Sequence, residues 1–145
     1  MSNFYKIYSE AVKNQTQVSP AEQFLGFFPV AVEPGSIAFE MQVTPQHANP
    51  QGTLMGGIIS ALADMATGVA FSTTLEAEET FTTVELKVNY LKPIWSGTIR
   101  AEGRVIKRGR TIGLAECSIY DESRSLVAYA TSTCMALRGD KAGGR

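Results

Sequence analysis

The sequence predicts an α+β domain in which a curved antiparallel sheet wraps around a long central helix. Three observations carry this. The run from Gly56 to Phe71 is apolar on nearly every side, with Ala, Leu and Met in its middle and a Gly pair at its start, as in a buried helix. After it come four stretches of alternating apolar and polar residues, separated by turn punctuation, the pattern of half-buried antiparallel strands. One more alternating stretch precedes the helix. A helix apolar all round cannot be covered by a flat sheet, so the sheet must curl around it.

The elements follow in order. Residues 1–35 read as an N-terminal helical extension packed on the same domain. Within it, Ser19, Pro20 and Gly26 supply an N-cap, a first-turn proline and a glycine stop. Residues 36–44 alternate, with Ile37, Phe39, Met41 and Val43 on one face. Residues 45–54 carry Pro, Asn and Gly and read as a loop. Past the helix, Val84, Leu86, Val88 and Tyr90 alternate with Glu85, Lys87 and Asn89. Residues 98–107, 112–120 and 126–137 complete the strands, and lengths near ten residues suit a strongly curved sheet. The domain proper is 36–137, and the Gly-rich, charged residues 138–145 read as a disordered tail.

Composition narrows the function. The 145 residues are 44% hydrophobic and 19% charged with a net charge of −1, which offers no general attraction to nucleic acid or an anionic membrane surface. No basic-then-apolar leader and no bilayer-length apolar run is visible, so a soluble cytoplasmic protein is expected. The two cysteines, Cys117 and Cys134, lack CxxC spacing. A turn near 121–125 would place Cys117 opposite the region of Tyr129, not Cys134, so both read as small buried thiols. No metal-ligand cluster is present.

Between Glu40 and Glu76 the only formally charged side chain is Asp64, inside the apolar helix. Taking a carboxylate out of water costs several kcal/mol unless a partner or a solvated pocket offsets it. A core built only for folding would use Leu or Ala there. Asp64 is therefore the first candidate for chemistry.

The segment His47-Ala48-Asn49-Pro50-Gln51-Gly52-Thr53-Leu54-Met55-Gly56-Gly57, followed by Asp64 and by Thr83-Val84-Glu85-Leu86-Lys87-Val88-Asn89-Tyr90-Leu91-Lys92-Pro93, resembles the hotdog-fold acyl-CoA thioesterases. The phenylacetate-degradation (PaaI) type is the group it is most similar to. The resemblance runs from about residue 36 to 137 and implies a hotdog fold hydrolysing acyl-CoA thioesters. It departs at Met55, where the family usually has His, so any role of that imidazole has no carrier here.

The resemblance implies catalytic roles for Asp64, Gly56, Asn49 and Thr83. The Gly56 N–H, at a helix start with unpaired donors and the positive end of the dipole, would bind the oxyanion. Asp64 would activate water as general base or attack the thioester directly, and the sequence leaves both routes open. Thr83 would hold the water beside it, and Asn49 would bond near the thioester or the loop. Met55, Gly57, His47, Arg108 and Arg110 are candidate substrate-binding residues. For Gly57 the competing role is helix packing, for His47 loop structure, and for the Lys107–Arg110 turn an ordinary solvated hairpin tip.

Eight residues separate Gly56 from Asp64, about 12 Å along a helix axis, so one carbonyl cannot touch both in one chain. A homodimer with active sites shared across a two-fold axis resolves this, as the resemblance implies, with a homotetramer as a dimer of dimers. No cofactor is expected beyond the coenzyme A of the substrate. Two other readings stay open: a hotdog dehydratase or hydratase using His47 with Asp64, and a non-catalytic acyl-CoA-binding protein.

Overall fold

Residues 1–143 are described by a computed structural model. Helices α1 (Asn3–Asn14) and α2 (Pro20–Leu25) lead into strands β1 (Phe27–Glu33) and β2 (Ser36–Val43). A 3-10 turn at Pro45–His47 precedes the long helix α3 (Gly56–Ser72). Strands β3 (Thr80–Tyr90), β4 (Gly97–Arg108), β5 (Ile112–Tyr120) and β6 (Leu126–Leu137) follow. All six strands form one sheet in the order β1-β2-β4-β5-β6-β3, every neighbouring pair antiparallel. Helix α3 packs against β2, β3, β4, β5 and β6. This is the α+β hotdog architecture, a sheet wrapped around its central helix.

The helix lies very close to the sheet. A Cβ on Gly103 of β4 would stand 2.5 Å from the Ala66 carbonyl oxygen, so only glycine permits this approach. Leu62, Ala63, Ala66, Ala70 and Phe71 are fully buried on that side. Each large apolar side chain so buried contributes about 1.5–3 kcal/mol.

The helical extension ends earlier than the sequence suggests. Phe27–Glu33 is a strand, pairing with β2 through a turn at Pro34 and Gly35, where Gly35 has φ +86°. Pro29 lacks the ladder N–H that a central strand needs. It is tolerated because β1 is an edge strand whose register shifts between Pro29 and Ala31. The Pro34-Gly35 pair between two apolar stretches was the available hairpin signal. Helix α2 has the expected ends: Ser19 Oγ accepts from the Glu22 N–H at 3.2 Å, and Gly26 is left-handed at φ +80°. In the tail, Gly139–Gly143 forms a 3-10 segment where disorder was expected, and residues 144–145 lie outside the described residues.

Cys117 pairs with Ala130, one position from Tyr129, and Cys134 pairs with Gly113 and Thr83. Both thiols are free and buried, and burial pushes Cys117 up to about 12. Among the described residues no helix is long and apolar enough to cross a membrane, and no cluster of His, Cys, Asp and Glu could hold a metal ion.

Candidate active site

Helix α3 is less enclosed than its composition implies. Within one chain, Gly57 and Asp64 are exposed, and Ser60, Ala61 and Met65 are half-buried. The sheet covers one side of the helix and leaves a strip of small residues open along the other. Asp64 therefore keeps contact with solvent in the single chain, where burial had been expected.

One oxygen of Asp64 is already engaged. Thr83 Oγ1 on β3 donates to Asp64 Oδ1 at 2.9 Å. The register of β3 against β6 shifts between Thr83 and Glu85. Such a bulge re-aims neighbouring side chains, and here it falls directly beside the residue that reaches Asp64. Behind Thr83, across the ladder, sits Cys134. Its thiol is raised by burial and, secondarily, by the negative charge of Asp64, against a hydrogen bond from Ser132.

Asp64 and Thr83 open onto a cavity of about 570 Å³, whose remaining wall is largely apolar and includes Leu25, Phe27, Met65, Val69 and Phe81. That size and lining suit a small apolar ligand fixed by few polar groups.

The other half of the expected constellation lies about two helical turns away. Gly56 starts α3, and its N-cap, Met55, supplies no side-chain acceptor to the helix end. A Cβ on Gly56 would meet the Tyr90 ring at 3.3 Å. The Tyr90 hydroxyl is in turn hydrogen-bonded to Ser60. Neither Tyr90 nor Ser60 stood out in the sequence, because both fit an ordinary strand end and helix turn. Met55 is 51% exposed, and its terminal carbon would touch a Cβ placed on Gly57, at 3.5 Å.

The loop before α3 is held by its own residues. Asn49 accepts from the N–H groups of Gln51 (3.0 Å) and Thr53 (3.1 Å) and donates to Thr53 Oγ1 at 2.9 Å. His47 Nδ1 accepts from the Thr44 N–H at 3.0 Å, and the His47 carbonyl accepts from the Met55 N–H at 2.9 Å. Both side chains thus shape the loop that delivers Met55 and Gly56. At the other end of α3, Arg108 donates to Thr74 Oγ1 at 3.1 Å and lies 4.8 Å from the centre of the Phe71 ring. Its guanidinium is committed to the fold, whereas Arg110 is exposed. Asp64 and Thr83 are brought together; Gly56, Met55, Asn49 and His47 form a second group; Arg108 and Arg110 stand apart from both.

A curved antiparallel sheet wrapped around one central helix defines the hotdog class of folds. Residues 51–128 match the family model of the Thioesterase superfamily, and the chain belongs to that family. It is 27% identical to human acyl-coenzyme A thioesterase 13 over 136 residues, covering 92% of this chain and 96% of the relative. It is 31% identical to a thioesterase family protein of Silicibacter pomeroyi of known structure, with TM-score 0.80 and coverage of 91% and 99%. The PaaI protein of the E. coli phenylacetic acid degradation operon shares the fold, with TM-score 0.82 at 20% identity over 94% of this chain and 98% of the other.

Proposed function

We propose that the protein hydrolyses acyl-CoA thioesters to the free acid and coenzyme A. The pairing of Asp64 with Thr83 at the wall of an apolar cavity carries this reading. In the general-base route, Asp64 takes a proton from water held by Thr83, and the water oxygen bonds to the thioester carbon. Negative charge moves onto the carbonyl oxygen, where the Gly56 N–H meets it. Collapse re-forms the carbonyl and breaks the carbon–sulfur bond, and the departing thiolate takes up the proton. In the nucleophilic route, an Asp64 oxygen bonds to the same carbon, releases coenzyme A and leaves a mixed anhydride for water to cleave. Neither route calls for a cofactor or a metal.

The site is completed by a second copy of the chain. Asp64 and Gly56 lie too far apart along α3 for one carbonyl, and β3 is an edge strand of 11 residues with Val84 and Tyr90 exposed. An uncovered edge of that length is a template for pairing. Two chains joined there would bring Asp64 of one to Gly56 of the other, giving two equivalent sites. Two such dimers would associate into the tetramer that the family resemblance implies.

A hydratase using His47 finds less support, because the Nδ1 of His47 is held by Thr44 while Asp64 is bonded to Thr83. The deciding experiment follows free thiol release from a panel of acyl-CoAs by wild type and Asp64→Asn. Thiol release by the wild type that is lost in the variant supports hydrolysis. Enoyl absorbance changes without thiol would favour the hydratase, and saturable binding with neither would leave a binding protein.

A further inference from the structure

Part of the wall of the cavity beside Asp64 comes from residues that precede the family match, which begins at residue 51. Ala21 and Leu25 of α2 line it together with Phe81 and Gly68. We propose that the N-terminal helices form the end wall of the acyl cavity and limit the protein to compact acyl groups, aryl rings or short chains. This rests on the thioesterase reading and adds a specificity determinant to it.

Two features make that wall firm. Gly68 lies one helical turn beyond Asp64, about 6 Å along the axis, and a Cβ there would come within 3.0 Å of the Phe81 ring. The ring therefore rests against bare helix backbone and stops the cavity one turn past the acid. From the other side, Phe4 of α1 meets Phe81 edge-on, with ring centres 6.1 Å apart. Ser2 pins the start of α1 by donating to the Ser72 carbonyl at 2.7 Å.

The second feature is a buried carboxylate that hydrolysis does not use. Glu22, on α2 between Ala21 and Leu25, is fully buried. Its Oε1 accepts from the Tyr8 hydroxyl of α1 at 2.6 Å, and its Oε2 from the Val18 N–H at 2.8 Å. Gln17 adds a clamp, donating to the carbonyls of Glu22 (2.8 Å) and Phe27 (2.9 Å). A six-residue helix has little stability of its own. The latch holds it against α1, and so holds Ala21 and Leu25 on the cavity.

The test is a kcat/KM series over acetyl-, butyryl-, hexanoyl-, decanoyl-, palmitoyl-, benzoyl- and phenylacetyl-CoA. Wild type should favour the compact members. Ala21→Trp, at an exposed position that faces the cavity, should lower turnover of the bulkier substrates at least about tenfold relative to acetyl-CoA. Leu25→Ala should shift preference towards longer chains by a similar factor, the scale set by a methylene or two in an apolar pocket. Glu22→Gln should broaden the profile. A best rate on palmitoyl-CoA, or variants that scale all substrates equally, would overturn the proposal. If wild type releases no thiol from any of them, the thioesterase reading fails by itself. The wall is then read by calorimetry with non-hydrolysable thioether analogues of the same panel. Length-dependent loss of affinity in Ala21→Trp supports it, and an unchanged or uniform Kd refutes it.

Discussion

Thr83 on the edge strand donates its hydroxyl to the carboxylate of Asp64 on the central helix, 2.9 Å away. The two residues are 19 positions apart in sequence, and a strand bulge next to Thr83 helps aim one at the other. Strand, helix and acid meet here, and the first predictions concern this contact.

Asp64→Asn keeps the size and polarity of the side chain but removes the base. Hydrolysis should fall by about 10²–10⁴-fold, the range for one positioned acid–base group, while circular dichroism stays unchanged. Wild-type rates in this variant would remove Asp64 from the chemistry. Single-turnover hydrolysis in ¹⁸O water, with label then sought on Asp64, separates the two routes. Label in the enzyme carboxylate signals nucleophilic attack with water opening the anhydride at Asp64. Where there is none, trapping of an acyl-enzyme by hydroxylamine distinguishes opening at the acyl carbon from the general base.

Thr83→Val removes a hydroxyl bonded to a charged group, an interaction worth about 1.5–3 kcal/mol. Turnover should drop roughly 10- to 100-fold on that scale. Thr83→Ser should recover most of it. A strand residue serving only β propensity would show the reverse, tolerating Val better than Ser.

The shared site predicts complementation. Asp64→Asn and Gly56→Val homodimers should each be nearly inactive. Refolded together in equal amounts, they form heterodimers with one intact site, for about a quarter of wild-type activity. Sedimentation would follow the assembly, and Val84→Lys, at an exposed position on the β3 edge, should dissociate the dimer and abolish activity together. No recovery on mixing would place the whole site within one chain.

Acid stability offers a check away from the site. Asp121 is held well below the usual carboxylate range by its hydrogen bond to Lys92, then by Ser123 and the Ser125 N–H. Glu116 is lowered first by the Tyr129 hydroxyl and then by Arg104. Because the folded-state values lie below the unfolded ones, their stabilisation is present above the unfolded values and is lost as pH falls through the folded ones. Tm should be insensitive to these groups above about pH 5 and decline below about pH 4, the ordinary carboxylate range. Asp121→Asn should lower Tm at pH 7, and the difference from wild type should shrink towards pH 2.

The residues that build the loop and the far hairpin separate structural from binding roles. Asn49 was legible as a functional candidate from the motif around it, yet its oxygen is taken up by the Gln51 and Thr53 amides. Arg108 was legible as a candidate substrate-binding residue, yet it is stacked on Phe71 and bonded to Thr74. In both cases residue type and position are visible in one dimension, while the partner that decides the role comes from elsewhere in the chain or from the shape of a turn.

By itself the sequence determined the central helix, the strands from Ser36 onward and the singular status of Asp64. Apolar periodicity and the scarcity of charge are local properties that burial imposes directly. It did not reveal β1, because a proline-bearing edge strand weakens the alternation that marks a strand. Only the tertiary structure decided that Asp64 stands on an open strip of α3, that Thr83 reaches it, and that α2 walls its cavity. Those facts depend on which surfaces a curled sheet leaves uncovered, and that follows from the packing of distant segments against one another.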